Sequence, residues 1–282
     1  MIKLKPILLE GLRSKEISEN EMYSYIESVP TLGKKIASKL LKGNFIHRGL
    51  RVDNKRLYIE PKLFNRVSKN TDNFYTLLID NFPTWENYPK RSRSIVCSTS
   101  EDKADVYGNV YAVFPIDMSA QFGVCSSQDI WLSFKSIGRL NELNSDISLL
   151  GTLISNKPDL TSEENNIISS VIYSDKQSLT YNNLINFFSF VDKNKSFYIN
   201  QGYSHLSNFM IHYMDSNVSL YDYLLVKMKP DVNGFSLLNY YDDNTRLPDN
   251  REVWTDSSCL LINEDIASYM NIEFIRKLEE LS

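Results

Sequence analysis

The chain has 282 residues, of which 42% are hydrophobic and 23% charged, so it can bury a substantial core without disulfides or a structural metal. A net charge of −4 supplies no global basic field for phosphate backbones, and nucleic acid is not favoured as a partner. Cys97, Cys125 and Cys259 lie far apart with no C-x-x-C pair or His/Cys cluster, which argues against a disulfide framework or a zinc site and for three small packing residues in a reducing cytoplasm. The apolar run in Met1–Ile7 is too short for a signal peptide, and no stretch of about 18 apolar residues suggests a membrane span. The expectation is a soluble cytoplasmic protein with no membrane partner. Richness in Asn, Ser, Lys, Ile and Tyr points to an AT-rich coding genome, as in many phages or low-GC bacteria.

In chain order, residues 1–44 read as helical. Ser18 and Glu21 have the spacing of a capping box, and a second helix runs from Leu32 to Leu41 and stops at Gly43. The period then changes to that of strands. Asn44–Val52 is one strand, Arg56–Ile59 its expected hairpin partner, and Ser94–Ser98 another. A short helix ending at Tyr107–Gly108 leads into a strand over Asn109–Pro115, and Gly123–Cys125 adds a fourth. From Asp129 to Lys229 the pattern is helical, with a capping box at Thr161–Glu164 and a weaker start at Ser219–Asp222. The aromatic run Leu184–Phe190 reads as core. Strands return at Gly234–Leu238, Glu252–Trp254 and Cys259–Ile262, around a polar loop from Asn239 to Asn250, and a helix closes the chain from Glu264 to Leu281. The order does not alternate βαβ, so the reading is α+β: one domain over 1–282 whose β core is split into 45–128 and 231–263, with a helical insertion at 129–230 and a last helix at 264–282.

Phosphate-loop, dinucleotide-fold, zinc-protease and nucleophile-elbow motifs are absent, and three His with no nearby nucleophile give a Ser-His-Asp or Cys-His hydrolase little support. Three segments place polar residues at strand ends. The first, His47-Arg48-Gly49, joins in Arg48 a rigid fork of donors suited to phosphate oxygens with a Gly that leaves the backbone open. Ser98-Thr99-Ser100 ends a strand, with Ser100 placed to cap the next helix and Ser98 left over. Glu252 enters a strand behind the polar loop. Taken singly, the ordinary readings are an edge arginine reaching water, a helix cap and a solvated strand carboxylate.

In this order the three segments resemble the ADP-ribosyltransferase superfamily, and within it the Arg–Ser–Glu branch that includes bacterial toxins and phage-encoded transferases. The match is densest from Arg93 to Pro115: Ser98-Thr99-Ser100, then Ala104, Tyr107-Gly108-Asn109-Val110-Tyr111 and Pro115. The lead-in Lys90-Arg91-Ser92-Arg93-Ser94 is similar to that of a group of phage proteins. The resemblance covers residues 44–125 and 232–263 and leaves out the helical block between.

It implies a mixed or antiparallel sheet core of that type, NAD as substrate and no metal. Glu252, Ser98 and Arg48 become the catalytic set: Glu252 holds the ribose 2′-hydroxyl and stabilises an oxocarbenium-like state, Ser98 orients Glu252, and Arg48 clamps a phosphate. Gly49 lets the backbone approach nicotinamide, while Thr99 and Ser100 shape the strand end. Tyr107, with Tyr111 as second choice, stacks on nicotinamide. Asn250 completes the NAD-binding set and stands where the family usually has Glu or Gln, which leaves transfer and NAD hydrolysis both open. Tyr240 and Tyr241 are expected to face the acceptor, a host protein or nucleic acid. The alternatives are an inactive interaction protein on the same fold and a virion structural protein.

Overall fold

The structure, a computed structural model, describes residues 14–63, 65–67, 73–173, 175, 178–264 and 272–281. The expected helical start within residues 1–13, the run Met1–Ile7 and residues 265–271 of the expected last helix lie outside these.

The described strands are β1 (Ser14–Glu16), β2 (Ile46–Leu50), β3 (Arg56–Ile59), β4 (Ile95–Ser98), β5 (Asn109–Pro115), β6 (Gln121–Val124), β7 (Ser236–Asn239), β8 (Glu252–Thr255) and β9 (Cys259–Asn263). The described helices are α1 (Glu19–Glu27), α2 (Leu32–Leu41), α3 (Phe74–Asn81), α4 (Glu101–Asp105), α5 (Leu140–Ser155), α6 (Ser162–Ile172), α7 (Tyr181–Lys193), α8 (Lys195–Gln201), α9 (Asn208–Met214), α10 (Leu220–Lys227) and α11 (Ile272–Glu280). The chain is α+β. Its strands form one sheet in the order β1-β3-β9-β5-β2-β4-β8-β6-β7, with every neighbouring pair antiparallel.

Two compact units emerge. The first holds the sheet and comprises the described residues up to 66, 88–129 and from 236 on; the second comprises 67–87 and 130–235. The helical block expected over 129–230 therefore runs to 235. It also takes in residues 67–87, which the sequence pattern placed in the first half of the β core.

The sheet unit is built around its most apolar strand. All five residues of β9 are buried, because β3 and β5 flank it edge to edge and side chains cover both faces. Ile36 and Ala37 of α2, Tyr23 and Ile26 of α1 and Leu278 of α11 join the same core. The Ser18–Glu21 capping box is present, and each partner satisfies an amide of the other's backbone at the start of α1.

Three expectations in this unit are corrected. β2 and β3 do not form a hairpin: β2 pairs with β4 and β5, and β3 with β1 and β9. The link between them is held away from a tight turn by Tyr111, whose hydroxyl donates to the carbonyls of Val52 and Asn54. Residues 14–16, expected to be helical, form β1 because they pair with the edge of β3. Tyr240 and Tyr241 do not face an acceptor. Both are buried, their hydroxyls donate to the carbonyls of Val113 and Pro115, and burial pushes both phenols well up from their ordinary range.

In the second unit α5 packs on α3, α6 and α8, and α7 on α3, α6 and α10. Leu184, Phe187, Phe188 and Phe190 of α7 are buried, as the aromatic run suggests. Full burial of each such side chain stabilises by roughly 1.5–3 kcal/mol. Trp85 lies 4.9 Å from the Phe235 ring and donates to the carbonyl of Met228 at 2.8 Å. The Thr161–Glu164 box is present, Ser219 caps α10, and a third box joins Thr180 to Asn183 at α7. Among the described residues no helix is long and apolar enough to cross a membrane.

Candidate active site

The three sequence segments fall on three adjacent strands. β2 carries Arg48, β4 ends at Ser98, and β8 begins at Glu252, in the order β2-β4-β8. Ser98 is directly opposite Glu252 across β4–β8 and directly opposite His47 across β2–β4. Directly paired residues share a face, so His47, Ser98 and Glu252 form one row across the sheet. Two strand spacings separate its ends, about 10 Å.

Thr99 staples the end of this row. Its N–H donates to the carbonyl of Arg251 at 2.9 Å, and its hydroxyl accepts from the N–H of Arg251 at 2.8 Å. Ser98 Oγ accepts from the N–H of Ser100 at 3.0 Å, which tightens the turn into α4. Ser100 occupies the cap position of α4 but its side chain makes no cap hydrogen bond. The expected division of labour is thus reversed: Ser98 bonds the turn, and no hydrogen bond joins its hydroxyl to the Glu252 carboxylate among the described residues.

Glu252 is held instead by Arg91. Nη2 of Arg91 donates to Oε1 of Glu252 at 2.5 Å, with the two side chains only 4% and 15% exposed. Cys125 Sγ is 3.9 Å from the same oxygen, and its N–H donates to the Glu252 carbonyl at 2.9 Å. Both side-chain contacts meet Oε1; among the described residues none is made to Oε2. Arg91 sits in a single 3-10 turn, Arg91–Arg93, with its guanidinium 5.3 Å from the Trp254 ring. That ring is fixed in turn, since Trp254 Nε1 donates to the carbonyl of Pro89 at 2.9 Å. A Cβ on Gly123 would come within 2.3 Å of the indole, so the strand beside Trp254 must carry glycine.

Arg48 alternates to the other face from His47. β2 and β4 pair only at His47–Ser98, and Nη1 of Arg48 donates to the carbonyl of Val96 at 2.5 Å, linking the strands where the ladder has ended. Gly49 serves the fold: a Cβ there would lie 1.8 Å from the carbonyl oxygen of Ala104, because α4 packs directly on β2. The side of Gly49 assigned to nicotinamide is therefore filled by α4. Tyr107 follows α4 with 54% of its surface exposed, available to stack on a ring, whereas Tyr111 is fully buried and is not. Asn250 is exposed with φ 49°, a left-handed conformation that Asn tolerates better than most residues, at the bend into β8.

The row also gathers residues to which the sequence pattern assigned no role. Nδ1 of His47 is 2.5 Å from Oε1 of Glu264, both side chains being nearly buried, and the Phe45 ring lies 5.0 Å from the imidazole. Arg91 was legible only as one charge in a basic run, which ordinarily reads as a solvated face. Glu264 carried no local signal at all. The three cysteines are buried, and burial pushes the Cys97 thiol up to about 12, which keeps it unreactive. Among the described residues no group of three His, Cys, Asp or Glu side chains could hold a metal ion. No protein-family model, curated protein or solved structure matches the chain.

Proposed function

We propose that the chain cleaves the nicotinamide–ribose bond of NAD and transfers ADP-ribose to a host macromolecule, as an ADP-ribosyltransferase of the Arg–Ser–Glu kind. The observation that carries this reading is the side-by-side placement of Ser98 and Glu252 on adjacent strands, with the Arg48 strand next in order. These residues are separated in sequence by the whole helical block.

The proposed chemistry follows from the charge arrangement. Bond cleavage builds positive charge at the ribose anomeric carbon, and a fixed carboxylate beside it lowers the barrier. Glu252 is fixed through Oε1 by Arg91, while Oε2 accepts the ribose 2′-hydroxyl. Tyr107 offers an exposed ring to nicotinamide and Thr99 keeps β4 and β8 in register, while Arg48, on the opposite face, ties β2 to β4 through the Val96 carbonyl.

The test is incubation of the purified chain with labelled NAD, with and without host extract, beside Glu252→Gln. The glutamine keeps the shape and a bond to Arg91 but removes the charge. Label in macromolecules from the wild type alone supports transfer; nicotinamide release without label makes the protein a glycohydrolase. Neither product, together with no NAD binding, rejects the reading. An interaction protein without turnover is the second reading, favoured by the ion pair itself, since Arg91 neutralises the carboxylate on which cleavage depends.

A further inference from the structure

The row across β2, β4 and β8 holds an imidazole–carboxylate pair at the end opposite Glu252. Nδ1 of His47 lies 2.5 Å from Oε1 of Glu264, so the carboxylate is placed to accept from Nδ1–H. In the neutral imidazole that leaves the lone pair on Nε2. His47 is hemmed on its own strand, with the Phe45 ring at 5.0 Å on one side and Gly49, covered by α4, two residues on. Both members are nearly buried, with 12% and 14% of their side chains exposed, so the pair is shielded without being sealed. Across the sheet it faces Ser98 directly and Glu252 one strand beyond. A base oriented by a carboxylate thus stands two strands, about 10 Å between backbones, along a shared face from a cation-stabilising carboxylate, with the small Ser98 between them.

We propose that His47, oriented by Glu264, is the general base that activates the attacking group in the NAD reaction; the inference rests on the NAD reading above. The C1′–N bond to nicotinamide breaks, its electron pair leaving with the now neutral nicotinamide. A lone pair of the acceptor X–H forms the new bond to C1′, and the X–H proton passes to Nε2 of His47 and on to solvent. The balance is NAD⁺ plus X–H giving ADP-ribosyl-X, nicotinamide and a proton. With water as X–H the product is ADP-ribose. This role fills the place left by Asn250, which has no carboxylate to receive that proton.

The experiment uses NAD as the probe and water as the acceptor, following nicotinamide and ADP-ribose with the full chain. His47→Gln is expected to lose about 100-fold or more in kcat with KM for NAD within about threefold. Imidazole added to His47→Ala restores about tenfold or more. Wild-type turnover matched by His47→Gln, or a loss in His47→Ala that imidazole leaves untouched, overturns the dyad while the NAD reading stands. A wild type that releases no nicotinamide with or without host extract and binds no NAD overturns the NAD reading and the dyad's role with it. Should His47→Gln fail to fold, Glu264→Gln carries the test: it keeps the bond to Nδ1 but not the charge. The dyad then predicts a lower kcat at unchanged KM, and an unaltered kcat rejects it.

Discussion

Two carboxylates, a buried one in the helical unit and a largely shielded one in the sheet unit, show how differently the same group can be used. In the helical unit Asp146 of α5 spends both oxygens on Ser207, the cap residue of α9: the Ser207 N–H donates to Oδ1 at 3.0 Å and its hydroxyl donates to Oδ2. Among the described residues no cation is paired with it, and burial pushes its carboxyl up from the ordinary range. In the sheet unit Glu252 is held through one oxygen by a buried arginine and a thiol. The first arrangement anchors a helix, with each oxygen of Asp146 bonded to that anchor. The second fixes a charge yet keeps an oxygen uncommitted, which is what a catalytic carboxylate needs and a structural one does not.

The contrast is broken most severely at its cationic half. Arg91→Ala strands Glu252 in a nearly dry site and is expected to destabilise the sheet unit by about 3–5 kcal/mol, read by denaturant unfolding; a loss below about 1 kcal/mol would mean that the pair is solvated. Asp146→Ala leaves the Ser207 N–H and hydroxyl without their acceptor and costs about 1–3 kcal/mol. It should leave NAD turnover unchanged, because the anchor has no part in the chemistry. Gly49→Ala forces a Cβ into the Ala104 carbonyl and is expected to cost a similar 1–3 kcal/mol as α4 shifts. Thr180→Ala, at the capping box of α7, sets the lower end at about 1 kcal/mol.

The pH dependence of Asp146 has a definite sign. Its folded-state pKa is raised, so between the ordinary Asp range and the raised value the folded chain holds more proton than the unfolded chain. Its contribution to stability is therefore greatest at low pH and is lost as pH rises through the folded value. Across that window the stability of the wild type relative to Asp146→Asn should fall with rising pH. A parallel fall in both proteins would assign the slope to another group.

What was legible in the sequence was local. The boxes at Ser18 and Thr161, the stop at Gly43 and the apolar run of β9 depend on residues within a few positions of one another, and the structure has them. Ser98 and Glu252 were legible as types at strand ends, whereas their direct pairing depends on β8 returning from the far side of the helical block. Partners set by topology left no trace: β3 looks like a hairpin mate of β2, yet β5 and β9 lie between them. The eight residues of α3 are too short a run to stand out against polar flanks. Tyr240 and Tyr241 sit at the edge of a polar loop, and only the carbonyls of β5 explain their burial. Arg91 was legible only as part of the basic lead-in Lys90–Ser94, because its partner Glu252 lies far along the chain and only the β4–β8 pairing brings the two together.

The most direct measurement of the central claim is nicotinamide release by the wild type and by Glu252→Gln, with NAD affinity measured calorimetrically on both. The account predicts that both proteins bind NAD within about threefold of each other and that the variant loses about 100- to 1000-fold in kcat. Equal turnover by the two folded proteins would contradict it.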